Sequence, residues 1–185
     1  VIDQIKIRRV LISVHDKQGL LPLAEKLVAI GAEILSTGGT AHYLQEHHIP
    51  VTSVSSVTGF PEILGGRVKT LHPHIHGAIL AKRDDAAQMK ELASHAISPI
   101  DMVIVNLYPF EKTVANPTVT LADAIENIDI GGPGMIRASA KNYGGVTVIT
   151  HPNQYAEVLQ ELENLHGHTS YALREKLAAA AFQRT

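Results

Sequence analysis

The feature that most constrains this chain is a repeated alternation of two segment types. Short apolar runs rich in β-branched residues are each followed by a stretch with helical spacing. "RRVLISV" (8–14) reads as a buried strand. "GLLPLAEKLVAIG" (19–31) carries apolar residues at 20, 23, 24, 27 and 28 and closes on Gly31, which predicts a helix. "AEILST" (32–37) is a second strand, "GGTAHYLQEHH" opens on two glycines and continues as a helix, and "PVTSV" (50–54) is a third, short strand. Ser55 to about Pro73 reads as a long loop, and long loops in compact domains are usually functional. "IHGAILA" fits strand or helix equally. "DDAAQMKELASHA" (84–96) is helical. "DMVIVNLYPF" (101–110) begins as the clearest strand, with Pro109 ending it. "TLADAIENI" (120–128) is a helix capped by Thr120, with Asp123 in its first turn. "GGPGMIRASAKNYGG" is a glycine turn, a helix and a glycine stop, followed by the strand "VTVITH" (146–151) and the helix "NQYAEVLQELENL" (153–165).

Strands alternating with helices predict an α/β fold: a parallel β-sheet flanked by helices on both faces, with right-handed crossovers. Ligands of such sheets bind at the carboxyl ends of the strands. Attention therefore falls on His15–Lys17, Thr37–Thr40, Asn106–Tyr108 and His151.

Composition removes several function classes. Sixteen Lys and Arg against 18 Asp and Glu give a net charge of -2, so there is no basic field for nucleic acid or an acidic membrane surface. The absence of cysteine excludes disulfides, thiolate metal sites and a Cys nucleophile, and fits a cytoplasmic protein. No apolar run approaches a membrane span. The missing initial Met suggests a trimmed start, and the uncapped helical end "YALREKLAAAAFQRT" suggests a fragment of a longer chain.

Three stretches carry candidate chemistry. "STGGT" (36–40) follows a strand and opens a helix, so its N–H groups and the hydroxyls of Thr37 and Thr40 suit an anion, with Lys17 as a balancing charge. An ordinary tight turn is the plainer alternative. In "GGRVKT", Arg67 and Lys69 share one face of an extended chain; alone they would be a solvated basic loop. In "DIGGPGMIRASAK" (129–141), Asp129 is either an active-site acid or a helix cap, and Lys141 sits where the helix dipole favours a cation. His72, His74 and His76 alternate in "LHPHIHG", but no carboxylate lies between Glu62 and Asp84, so no metal is expected.

"SVHDKQGL", "STGGTA", "TGFPEILGGRVKTLHPHIHGAIL", "NLYPF", "IDIGGPGMIRASAKN" and "VTVI" together resemble the IMP cyclohydrolase domain that opens bifunctional purine biosynthesis proteins, from about Arg9 to the end. The resemblance implies a methylglyoxal-synthase-like fold over residues 1–150, and a helical extension over 151–185 leading to a transformylase domain. It implies closure of FAICAR to IMP with loss of water, a homodimer, no metal and no cofactor; 10-formyltetrahydrofolate would serve only the transformylase. Carried over, the nucleotide contacts fall at Ser13, His15, Asp16, Lys17, Thr37, Gly38, Gly39, Thr40, Arg67, Val68, Lys69, Thr70, Asn106, Leu107, Asp129, Ile130 and Gly131. Lys141 matches the family's catalytic lysine, and Lys69, Tyr108 and Asp129 match the groups around the reacting atoms. The chain departs from the family at His15, commonly Ser, and at Tyr143, commonly His. A methylglyoxal-synthase-like phosphate lyase and a nucleotide-binding regulatory module are the alternatives.

Overall fold

The computed structural model describes residues 2–108 and 110–185. Five parallel strands form the central sheet: β2 (Arg9–Val14), β3 (Glu33–Ser36), β4 (Thr52–Ser53), β5 (Met102–Asn106) and β6 (Thr147–Ile149), in the order β4-β3-β2-β5-β6. Leu11 is in register with Leu35 on one side and Val103 on the other. All five residues of β5 are buried, as expected for a strand covered on both faces. Pro109, expected to end that strand, lies outside the described residues.

Helices surround the sheet. The chain first winds outward through α1 (Leu20–Ala29) and α2 (Gly38–Glu46) to β4. It returns through α3 (Val54–Thr58), α4 (Pro73–Leu80) and α5 (Ala86–Ser94) to β5 on the far side of β2. After α6 (Phe110–Val114) and α7 (Leu121–Glu126), α8 (Gly131–Lys141) leads into β6. The helices α4 and α10 (Tyr171–Arg184) pack on α8, while α1 packs on α9 (Tyr155–Asn164). The strand order thus reverses at β2, and the crevice between the carboxyl ends of β2 and β5 is the place where such sheets bind ligands.

The segment open to either reading, 75–81, is helical. Pro73 occupies the first turn of α4, where its missing N–H costs nothing, and His72 Nδ1 caps the helix by accepting from the His74 N–H at 3.1 Å. On a helix, residues two apart point in nearly opposite directions. His72 caps, His74 Nδ1 bonds the Val57 carbonyl at 3.0 Å, and His76 turns toward Gly134. Among the described residues no group of three His, Cys, Asp or Glu could hold a metal ion.

Residues 151–185, expected to be a helical extension, pack into the core with the rest. Val158, Leu162, Leu177 and Ala181 are buried in the one hydrophobic core. A short strand β7 (His168–Ser170) pairs antiparallel with β1 (Gln4–Lys6). Beside this pair the Arg174 guanidinium is fully buried. It donates to the backbone carbonyls of Ile2, Tyr143 and Thr169 rather than to a carboxylate.

Candidate functional site

The crevice at the strand reversal opens into a cavity of about 500 Å³. Its floor is the end of β2 and β5, and its walls are the N-termini of α2 and α8 and the loop 65–71. Three local devices fix this shape. The Asn106 amide at the end of β5 accepts the N–H groups of His15 and Asp16 at 2.7 and 2.9 Å and donates to the Asp16 carbonyl at 2.8 Å, which locks the loop after β2. The Thr40 hydroxyl both accepts from the Val14 N–H (3.1 Å) and donates to the Val14 carbonyl (3.0 Å), pinning α2 to β2. Asp129 Oδ1 accepts the Gly132 N–H at 2.8 Å and holds the first turn of α8.

Glycines create the room. A methyl group at Gly38 would lie 3.3 Å from Lys69 Nζ, and one at Gly66 would lie 3.2 Å from Lys69 Cε. The Lys69 side chain therefore runs in a slot between the two, with its ammonium over the start of α2. Both glycines have positive φ, 53° and 89°, which few other residues adopt. A methyl group at Gly132 would collide with the Asp129 carboxylate and lie 2.7 Å from Leu107 Cδ2.

The electrostatics favour an anion. The α2 N-terminus points its free N–H groups and dipole into the cavity, and the Lys69 ammonium meets it there. Two positive features brought together repel until a negative charge lies between them. Glu62, 3.8 Å from Lys69 Nζ, offsets part of this. Lys17 lines the same end, and the Thr37 side chain, at the N-cap position, makes no capping bond. Across the cavity stand Asp129, Ile130 and Gly131 at the start of α8, with the buried Thr70 against Gly131. Arg67 Nε reaches Glu126 Oε1 at 3.6 Å, from the loop to the end of α7.

Most residues named from the sequence come together here: Ser13, His15, Lys17, Thr37, Gly38, Gly39, Thr40, Arg67, Lys69, Thr70, Asn106, Tyr108, Asp129, Ile130 and Gly131 all line the cavity. Several do so differently from expectation. Thr40 has no hydroxyl to spare, because both its bonds are spent on Val14, so it offers only its N–H. The Asn106 amide is likewise occupied by the 15–16 backbone. Asp129 stands one residue before the α8 N-cap, Ile130, and its second oxygen is the one not engaged by Gly132. The His15 ring stands edge-on to the Tyr108 ring, 4.3 Å between centroids.

Four residues are not brought in. Asp16 turns its carboxylate to the Gln18 N–H at 2.9 Å. Val68 pairs with Ile63 in a small bridge, and Leu107 packs its side chain toward Gly132. Lys141 is exposed in the last turn of α8, ten residues after Gly131, so about 15 Å of helix separates it from the cavity end of that helix. Tyr143, the other departure from the family, bonds Tyr171 Oη at 2.9 Å and does not line the cavity. Sequence reasoning missed Glu126, Asn127 and Ile128, which close the wall beside Asp129. Their signal was the carboxylate in "ENIDI", one turn before Asp129.

The MGS-like domain family matches residues 19–134. The AICARFT/IMPCHase bienzyme family matches residues 139–185. The bifunctional purine biosynthesis protein PurH of Listeria innocua serovar 6a is 56% identical over 178 residues, covering 96% of this chain and 35% of the relative. The PurH of Halalkalibacterium halodurans is 55% identical over the same length and share. The chain thus spans about a third of the length of these curated relatives (35%). A crystal structure of ForH superimposes with a TM-score of 0.83 at 34% identity, covering 96% of this chain and 92% of that one. A parallel sheet reversing at β2, a cavity at that reversal and a matching solved structure over nearly the whole length agree with the family match: the chain belongs to the MGS-like domain family.

Proposed function

We propose that this chain is an IMP cyclohydrolase, closing the purine ring of FAICAR to give IMP and water, the last step of purine biosynthesis, in the cytoplasm. The observation that carries the reading is the Lys69 ammonium laid over the α2 N-terminus, opposite the Asp129 carboxylate across one cavity. One end suits a nucleotide phosphate, and the other supplies an acid–base group at the base. The carboxamide nitrogen of FAICAR is a poor nucleophile, but it attacks a formyl carbon of the same molecule, so orientation supplies much of the acceleration. The free oxygen of Asp129 takes a carboxamide proton as the C–N bond forms and returns it to the former formyl oxygen, which the N–H groups at the start of α8 and the Tyr108 hydroxyl stabilise. The C–O bond then breaks, and the hydroxyl leaves as water with the proton of the formamide nitrogen as the ring C=N bond forms. No cofactor is required by this scheme.

The resemblance to bifunctional relatives also implies a homodimer. Leu64, Leu121 and Ile130, 69%, 78% and 63% exposed, are the side chains a second copy would cover. A methylglyoxal-synthase-like lyase would need a carboxylate near the first strand, and Asp16, the one there, does not line the cavity.

The test is FAICAR closure by the intact protein and by Asp129→Asn. Asparagine retains an oxygen for the Gly132 N–H and removes the base. Turnover is expected to fall about 10²–10⁴-fold, the range for general acid–base groups, with IMP affinity within a few-fold of normal. A wild-type protein that binds IMP and turns over no FAICAR is a regulatory module instead.

A further inference from the structure

Beside the first cavity lies a second, of about 860 Å³, a size that small-molecule sites commonly have. His15, Lys17, Asn106 and Tyr108 line both, so these shared residues form the boundary between the two. Nothing in ring closure uses the outer cavity.

Its lining has a definite chemistry. Arg184, at the end of α10, and His151, just after β6, face it together with Lys17. Among the described residues none of these three is in an ion pair. His151 Nδ1 accepts the Asn153 N–H at 3.2 Å, which leaves Nε2 as the ring's donor. Asp16 and Glu111 are the carboxylates present; they offset part of the charge of Lys17 and Arg184, and the His151 donor remains. Tyr108 and Phe110, 40% and 39% exposed, add aromatic faces. A guanidinium, an imidazole donor and an ammonium suit an anion, and the two rings suit a planar group.

We propose that the outer cavity, bounded by Lys17, Tyr108, Phe110, His151 and Arg184, binds a small planar aromatic anion. Its ligand competes with the first cavity for Lys17 and places a second negative charge across that boundary. Occupancy of each cavity therefore weakens the other by the same factor, about fivefold, the lower end of ordinary coupling. The site itself does not depend on what the first cavity binds; only the antagonism rests on the nucleotide reading.

The probe is 1-naphthyl phosphate, titrated by calorimetry into the intact protein with and without saturating IMP. Binding is expected to persist under IMP, about fivefold weaker. Arg184→Glu and Phe110→Ala should each weaken it about tenfold or more, the scale of a lost charged hydrogen bond or a buried ring, while IMP affinity stays normal. Lys69→Ala, in the first cavity only, should leave it unchanged. Full one-site displacement by IMP, or loss with Lys69→Ala and not with Arg184→Glu, would place the probe in the first cavity and overturn the proposal. Absence of binding to any form overturns it as well. If IMP fails to bind at all, the Arg184 and Lys69 variants still decide the site, and only the reading of the first cavity falls.

Discussion

Gly132→Ala adds one methyl group where the site has least room. The new carbon would lie 2.7 Å from Leu107 Cδ2, roughly 1 Å inside an ordinary carbon contact, and would overlap the Asp129 carboxylate outright. Leu107 is half-buried and can rotate aside. Asp129 can yield only by giving up its 2.8 Å bond to the Gly132 N–H. That bond is worth about 1.5–3 kcal/mol, and alanine's better helix propensity returns about 1 kcal/mol, so the net loss of stability is modest, about 0.5–2 kcal/mol. The effect on catalysis is larger. A displacement of about 1 Å in a positioned group costs on the order of 10²-fold in rate. The assay is single-turnover closure of FAICAR alongside urea denaturation. Gly144→Ala is the control, because a methyl group there meets nothing within 4 Å. A Gly132→Ala protein that closes FAICAR at the normal rate would refute both the placement of Asp129 and its role as base.

Burial holds the Asp101 carboxyl above its ordinary range, against the N–H bonds from Arg8 and Arg9 and the nearby charges of Arg83 and Arg8. The folded protein therefore holds this proton more tightly than the unfolded chain, so the contribution to stability is full below the unfolded pKa and is lost as pH rises through the folded one. Asp101→Asn keeps an oxygen for both N–H groups and cannot ionise, so the stability of wild type relative to the variant should fall as pH rises above about 4, the ordinary carboxylate value, in urea titrations; a flat or rising difference contradicts it. Asn106→Ala removes the three bonds that hold the 15–16 backbone and should cost about 1–3 kcal/mol, with a larger proportional loss of IMP affinity by calorimetry; equal affinity would mean the loop holds without its clamp. The proposed homodimer requires that the intact protein sediment as a dimer and that Leu121→Asp together with Leu64→Asp shift it toward monomer; a wild-type monomer, or a dimer unchanged by the pair, contradicts the proposal.

The parallel sheet was legible because each strand and each helix carries its own period. β2, β3 and β5 are apolar runs, and α1 repeats its buried residues at helical spacing. "STGGT" was legible for the same reason, since a glycine pair between a strand and a helix is a local signal. What escaped is non-local. β1 and β7 are three residues each, mostly polar, and pair across more than 160 positions, which no period reveals. Thr40 reads as a free hydroxyl until Val14 is found against it. The position of Lys141 escaped too: a match to a family pattern carries no direction for the helix that holds the residue, and α8 points its start into the cavity.

The buried Arg174 has a consequence for how the protein is made. Its guanidinium gathers carbonyls from Ile2 and Asp3, from the turn at Tyr143 and Gly144, and from Thr169. The chain emerges from the ribosome starting with its first residues, at about 5–20 residues per second. β1 has no partner strand, and those carbonyls have no donor, until residues 168–174 exist. The strands β2 to β5 can pair earlier, but the contacts that tie residue 2 to residue 174 close a very long loop, and such contacts form last. A nascent chain stalled before α10 would therefore carry a paired sheet with a loose amino end and an uncovered α8, open to proteases at a stage when the finished protein is closed.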